Sequence, residues 1–141
     1  MNYYIKPFLL FILFIFSSCN KNEVDSTYLC EIPDTTDWSC EMFTTWLTEL
    51  FEEINELSTS LACTDASEWT FIAYGARACG GPQGYIPYSK SINSDKFICL
   101  VNIYTNIEQS YNETCGIYSI CEFEIEPSGI VCDNGIPTLT Y

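Results

Sequence analysis

The 141-residue chain contains no histidine and only five lysines and arginines, and these shortages exclude several functions. Without histidine it lacks the side chain most often used in general acid–base catalysis and as an imidazole ligand for metals. Nineteen acidic residues outnumber the basic ones and give a net charge of −14 at pH 7. Such a surface repels the phosphates of nucleic acids, which proteins bind through lysine and arginine. We therefore expect no nucleic-acid partner.

The chain also lacks a long hydrophobic run, since its longest covers only residues 8–16. A membrane-spanning helix needs about 20 apolar residues. The run follows Lys6 and leads into two serines, an order typical of a secretory signal peptide. Cys19 comes next, and this arrangement resembles the lipobox of bacterial lipoproteins, whose mature chain begins at a lipidated cysteine. The alternative is an ordinary signal peptide with a cysteine close to the cleavage site.

The lipobox resemblance implies a division of the chain into three parts. Residues 1–18 would be the lipoprotein signal peptide, residues 19–36 a lipidated tether, and residues 37–141 the domain. Asn20 after the cysteine implies, by resemblance to known sorting rules, an outer-membrane lipoprotein that faces the periplasm or the cell surface. We thus expect contact with the membrane through the lipid anchor. The remaining length supports one hydrophobic core and not two.

The chain has nine cysteines, of which lipidation would use Cys19. An even number in an exported chain predicts disulfides, here four. Their pairing stays open, because eight cysteines allow 105 connectivities. The alternative is zinc, but there is no C-x-x-C pair, and zinc sites usually need such spacing. We expect no metal and no cofactor. The disulfide candidates are Cys30, Cys40, Cys63, Cys79, Cys99, Cys115, Cys121 and Cys132.

Two segments show the three- and four-residue spacing of amphipathic helices. The first covers residues 38–61, with Thr36 or Asp37 as its N-cap. The second begins at Asn93 or Ser94 and stops at Gly116. If it is helical, Cys99 and Cys115 lie too far apart along its axis to form a disulfide with each other.

Shorter segments predict strands between and after the helices. They cover residues 68–74, 119–125, 130–132 and 137–141. We therefore predict a small, disulfide-rich, single α+β domain, in which two amphipathic helices pack on a short antiparallel sheet.

Residues 75–89 contain four glycines and two prolines, which predicts irregular chain. Loops held by a rigid scaffold often carry recognition, and arginine and tyrosine are frequent contact residues. We treat this stretch as a candidate recognition loop. The alternative is a structural turn whose glycines serve backbone geometry and whose tyrosines pack on the core. The candidate residues are Arg77, Gly80, Gly81, Pro82, Tyr85 and Tyr88.

Three motifs lie in this part of the chain. They are CTDASEW at residues 63–69, GARACGGPQGY at residues 75–85, and Tyr88-Ser89. Together they resemble a family of small Bacteroidetes lipoproteins of unassigned activity that share a CGGP core. Asn93 and Ile120 depart from that pattern. The resemblance implies a lipid-anchored domain and carries no activity with it.

We predict that the protein is not an enzyme. Histidine is absent, the thiols are expected to be bridged, and neither G-x-S-x-G nor S-x-x-K occurs. We expect a non-catalytic binding domain at the cell envelope with an unknown protein partner. Two alternatives remain open, an inhibitor of a secreted hydrolase such as a lysozyme or protease, and a structural or accessory envelope lipoprotein.

Overall fold

The computed structural model describes residues 30–122 and 124–141. The predicted signal peptide, Cys19 and most of the predicted tether lie outside these residues. Within them, two helices and two small antiparallel sheets confirm the predicted α+β class. The elements are α1 (Cys40–Ser58), β1 (Trp69–Tyr74), β2 (Gly84–Ser89), α2 (Ser94–Cys115), β3 (Gly129–Asp133) and β4 (Ile136–Thr140), with one 3-10 turn at Ala66–Glu68.

Helix α1 begins later than its sequence pattern predicts. Ser39 is the N-cap, and its Oγ accepts a hydrogen bond from the Met42 N–H at 3.2 Å. The prediction of Thr36 or Asp37 as the N-cap is wrong. Thr36 instead donates its N–H to the Asp34 carboxylate at 3.0 Å. That local turn keeps the preceding chain out of the helix.

Both predicted ends of helix α2 are confirmed. The Asn93 Oδ1 accepts a hydrogen bond from the Lys96 N–H at 3.0 Å. At the other end Gly116 adopts the left-handed conformation, with φ of 61°, and its N–H bonds the Asn112 carbonyl. Asparagine at the start and glycine at the end are the residues that these positions favour.

The hydrophobic core lies between the two helices and strand β2. Each helix turns one apolar face inward, as the periodicity predicts. Buried side chains from α1 are Phe43, Leu47, Leu50 and Ile54; those from α2 are Phe97, Val101, Ile103 and Ile107; β2 adds Ile86 and Tyr88.

Strand β2 lies inside the stretch predicted to be irregular, so that prediction is wrong for residues 84–89. The strand pairs antiparallel with β1, and Ile72 lies opposite Ile86. Its two buried apolar side chains, Ile86 and Tyr88, alternate as in a strand with one face on the core. The glycines of this stretch occur mainly before the strand, so their turn signal applies to that part alone.

The last two strands, predicted at residues 130–132 and 137–141, pair as a hairpin in which Ile130 lies opposite Leu139. Asn134 and Gly135 make its turn, both with positive φ, as a tight hairpin requires. The strand predicted at residues 119–125 is wrong. Its described residues are irregular, and Ile120 and Ile125 are 76% and 72% exposed.

Three disulfides join segments that are distant in the sequence. They connect Cys30 to Cys99, Cys40 to Cys115, and Cys63 to Cys132, with Cα–Cα distances of 5.5, 5.9 and 5.3 Å. As predicted, Cys99 and Cys115 pair with other segments. Four disulfides were predicted and three are present among the described residues. The remaining two candidates, Cys79 and Cys121, are free thiols in this structure.

Replacement of Phe43 by alanine should be strongly destabilising, because the ring is 0% exposed in the centre of the core. We expect a loss of about 3–5 kcal/mol in the free energy of unfolding. Met42 is its neighbour on α1 and is 50% exposed, so Met42→Ala is the matched control and should cost less than about 1 kcal/mol. Denaturant unfolding of both variants measures the difference. Equal losses would contradict the assigned helix face.

Candidate recognition site

The chain between β1 and β2, residues 75–83, forms what we call the glycine loop, and hydrogen bonds fix it to helix α2. The Gly75 N–H donates to Thr105 Oγ1 at 3.0 Å, and the Ala76 N–H donates to Glu108 Oε2 at 2.6 Å. The Ala76 carbonyl in turn accepts from Asn112 Nδ2 at 2.7 Å. Thr105, Glu108 and Asn112 are spaced by three and four residues, so their side chains lie on one face of α2.

Gly75 makes this close approach to the helix sterically feasible. Its φ is +74°, and a Cβ there would lie 2.5 Å from Glu108 Oε2 and 2.6 Å from Gln83 Cγ. Any larger residue would therefore combine backbone strain with a clash. Gly75 is buried, unlike Gly80 and Gly81 at the exposed tip of the loop.

The tip of the loop is closed by its own backbone. The Arg77 N–H donates to the Gly81 carbonyl, and the Gly80 N–H donates to the Arg77 carbonyl, both at 2.9 Å. A groove of about 400 Å³ separates the loop from α2 and has Gln109 and Glu113 in its lining. With these N–H groups used internally, the loop acts as a rigid platform.

Glu108 is the half-buried carboxylate under the platform. Burial raises its pKa above the ordinary value, although hydrogen bonds from the Ala76 N–H, Gln83 and Tyr104 oppose the shift. Burial also raises the pKa values of Tyr104 and Tyr74, and the charge of Glu108 adds to both shifts. Since its oxygens accept from the loop, Glu108 has a structural role here.

Arg77 is turned inward, contrary to an exposed contact role. Its side chain is 16% exposed and forms an ion pair with Glu124. Its Nη1 also donates to the Glu122 carbonyl at 2.7 Å. Arg77 thus holds the chain that follows α2 against the glycine loop.

Cys79 lies two positions after Arg77 in the loop and approaches the same chain. The Ser119 Oγ donates to Cys79 Sγ at 3.3 Å, and the Cys121 thiol interacts with the same sulfur. The contacts with Cys121 and Ser119, together with the charge of Arg77, lower the pKa of the Cys79 thiol. The pKa of Cys121 is raised, chiefly by its neighbour Cys79.

The six predicted recognition residues are therefore not presented together. Tyr88 is 9% exposed and stacks on Phe97 with ring centroids 4.6 Å apart, so its predicted contact role is wrong. Tyr85 is half-buried and packs edge-on against Phe71 at 5.9 Å. Pro82 is half-buried as well. For the two tyrosines, the alternative that they pack within the fold and do not form an exposed contact surface is therefore correct.

Sequence reasoning missed the surface formed by residues 117–122, 124 and 125, which we call the exposed segment. Tyr118, Ile120 and Ile125 are 95%, 76% and 72% exposed. In the sequence, the alternation of Cys121, Phe123 and Ile125 with acidic residues favours a strand, and that interpretation concealed the exposed positions. The one available signal was the location of these apolar residues between a helix stop and the next turn.

Comparison with protein-family models, curated proteins and solved structures finds no match for this chain. In the described ranges, neither helix combines the length and hydrophobicity needed to cross a membrane. The same ranges hold no cluster of three or more cysteine and carboxylate side chains arranged around a metal position. Inference about function therefore depends on the glycine loop and the exposed segment.

The raised pKa of Glu108 predicts a pH dependence of stability. Folding stability contributed by the protonated carboxyl is lost as pH rises from 4.5, the ordinary value, through the higher pKa of the folded state. Glu108→Gln keeps an acceptor oxygen for the loop and cannot ionise. The variant should therefore be more stable relative to wild type near pH 7 than near pH 4, as measured by denaturant unfolding.

Glu113→Gln is the control, because it removes the same charge from an exposed position of the same helix. It reports the effect of net charge alone. A pH profile for Glu108→Gln that matches this control would contradict the burial of the Glu108 carboxylate.

Proposed function

We propose that this protein is an exported, lipid-anchored, non-catalytic domain that binds a protein partner at the cell envelope through the exposed segment. The signal-like N-terminus and Cys19 support the export and the anchor. The three disulfides also support export, since such bonds persist in oxidising compartments.

The observation that carries the proposal is the exposure of large apolar side chains in a segment that is held in place. Tyr118 and Ile120 are 95% and 76% exposed and flank Ser119, which bonds Cys79. Exposed apolar side chains that occur together are typical of interaction sites. Because Arg77 restrains the segment next to them, a partner would lose less entropy in ordering it.

The charge of the surroundings indicates the chemistry of the partner. Glu122, Glu124 and Glu126 alternate along the same stretch and are exposed. After residue 18 the chain carries 19 acidic and four basic residues, a net charge of −15. A protein with an apolar cleft bordered by lysine or arginine fits these features, and the opposite charges would accelerate association.

The half-buried polar groups of the site support a role without catalysis. Glu108 and Asn112 bond the backbone of the glycine loop, and Arg77 bonds the exposed segment. Each is committed to holding the platform together. The proposed activity thus depends on the shape and charge of the surface.

The lipid anchor is tested by substitution of Cys19. In the native bacterial host, the wild-type chain should be recovered with the outer membrane and should incorporate a labelled fatty acid. Cys19→Ser should lose both properties, because serine lacks the thiol that carries the lipid. Cys30→Ser, which retains Cys19, is the control and should keep the label. Labelling of the Cys19→Ser chain would contradict lipidation at this residue.

The binding surface is tested by a photo-crosslinking side chain placed at position 118 or 120 of the full chain in living cells. The same side chain at Ile136, which is 63% exposed on β4, is the control. We expect one discrete adduct of a single protein at 118 and 120 and none at 136. Tyr118→Ala should reduce the adduct formed at 120 by about tenfold or more, as for a contact worth about 1.4 kcal/mol.

Adducts of equal yield at all three positions, or at none, would contradict a partner on the exposed segment. The chemistry of the captured protein provides a second criterion. An acidic protein without an apolar cleft would contradict the proposed complementarity.

A further inference from the structure

Cys79 and Cys121 differ from the other six cysteines of the described chain because they are not bridged. Both are free and exposed, whereas each bridge contains at least one buried or half-buried cysteine. They belong to different segments, the glycine loop and the exposed segment, yet Ser119, two residues before Cys121, donates to Cys79 Sγ at 3.3 Å.

The surroundings of the two thiols are asymmetric. Cys79 receives hydrogen bonds from Cys121 and Ser119 and lies near the Arg77 guanidinium, which favours its thiolate. Cys121 has the Cys79 sulfur beside it, which disfavours a second negative charge. Thiolates are the attacking species in thiol–disulfide exchange, so the two cysteines are suited to different steps.

We propose that Cys79 and Cys121 form a reversible fourth disulfide, a redox-sensitive clasp that fastens the exposed segment to the glycine loop. Cys79 is the attacking thiol and Cys121 the resolving thiol. The other three disulfides stay closed while the clasp opens and closes.

The closing step needs an oxidant that itself contains a disulfide, such as oxidised glutathione or the disulfide of an oxidase. The Cys79 thiolate attacks one sulfur of that disulfide, whose S–S bond breaks and releases a thiolate. The Cys121 thiolate then attacks Cys79 Sγ and releases the second one. The two cysteines lose two electrons, the oxidant is reduced to two thiols, and the two cysteine protons pass to those thiols.

The biological consequence of the clasp rests on the proposed function, the binding of a partner by the exposed segment. Tyr118 and Ile120 lie directly beside Ser119 and Cys121, so a closed clasp restrains the apolar side chains that would contact a partner. When the clasp is open, the ion pair of Arg77 with Glu124 and the bond to the Glu122 carbonyl still tether the segment. Opening should therefore loosen residues 117–121 without unfolding the domain.

Redox titration of the purified mature protein tests the chemistry without any partner. The protein is equilibrated with graded ratios of reduced to oxidised glutathione and quenched with acid for intact mass, and a parallel sample is alkylated and mapped by peptide mass spectrometry. At oxidising ratios we expect Cys79 linked to Cys121 and a mass about 8 Da below that of the fully reduced chain. As the ratio becomes more reducing, this bridge should open first, and the mass difference should fall to about 6 Da while three bridges persist.

Single variants test the roles of the two thiols. Cys121→Ser should accumulate glutathione on Cys79, because the resolving thiol is gone. Cys79→Ser should react with oxidised glutathione more slowly than Cys121→Ser, because Cys79 has the Ser119 hydrogen bond and the nearby Arg77 guanidinium to favour its thiolate. Ser119→Ala should slow the reaction of Cys79 and leave the other bridges unchanged. The double variant Cys79→Ser/Cys121→Ser keeps all three remaining bridges and is the control for folding.

Three results would overturn the clasp. The pair could remain as thiols at every oxidising ratio, it could open only together with the other bridges, or Cys121 could react faster than Cys79. Amide hydrogen exchange of residues 117–121 provides a structural readout, with faster exchange expected in the reduced protein and no redox effect in the double variant. A failed titration leaves the crosslinking result on the partner unaffected, and a failed crosslinking experiment leaves the titration unaffected.

Discussion

The contact on which the rest of the candidate site depends is the approach of the Gly75–Ala76 backbone to helix α2. Thr105, Glu108 and Asn112 bind that backbone from one helix face. Only a residue without a side chain fits at position 75, because a Cβ would lie 2.5 Å from Glu108 Oε2. Once the loop is fixed there, Arg77 and Cys79 follow within a few residues and can reach the chain beyond α2. A local steric condition thereby determines where the exposed segment lies.

The three disulfides explain how so small a domain supports this arrangement. Cys40–Cys115 connects the start of α1 to the end of α2, and Cys30–Cys99 attaches the N-terminal chain to the second turn of α2. Each closes a loop of about 70 residues, which restricts the unfolded chain and stabilises the fold by about 2–4 kcal/mol. Helix α2 takes part in two bridges and in the core, so it is a firm base for the glycine loop.

The sequence predicts those parts of the fold that follow from local periodicity and end signals. Both helices and the two short final strands were predicted for this reason, and the cap signals were correct for α2. Strand β2 was not predicted, because its residues follow a glycine-rich turn. It forms by pairing with β1, and the local sequence does not specify that pairing. The inward position of Arg77 was equally unpredictable, since its partners Glu122 and Glu124 are more than forty positions away. A lone arginine beside tyrosines suggested a contact surface, whereas the fold uses it to hold another segment.

The central claim is that the glycine loop is a rigid platform fixed to α2. Amide hydrogen exchange of the native protein tests it most directly, because the Gly75 and Ala76 N–H groups donate to α2 side chains. The account predicts that these two amides are protected to nearly the same degree as the central amides of α2. Exchange of Gly75 and Ala76 at the rate of an unfolded peptide, while α2 stays protected, would contradict it.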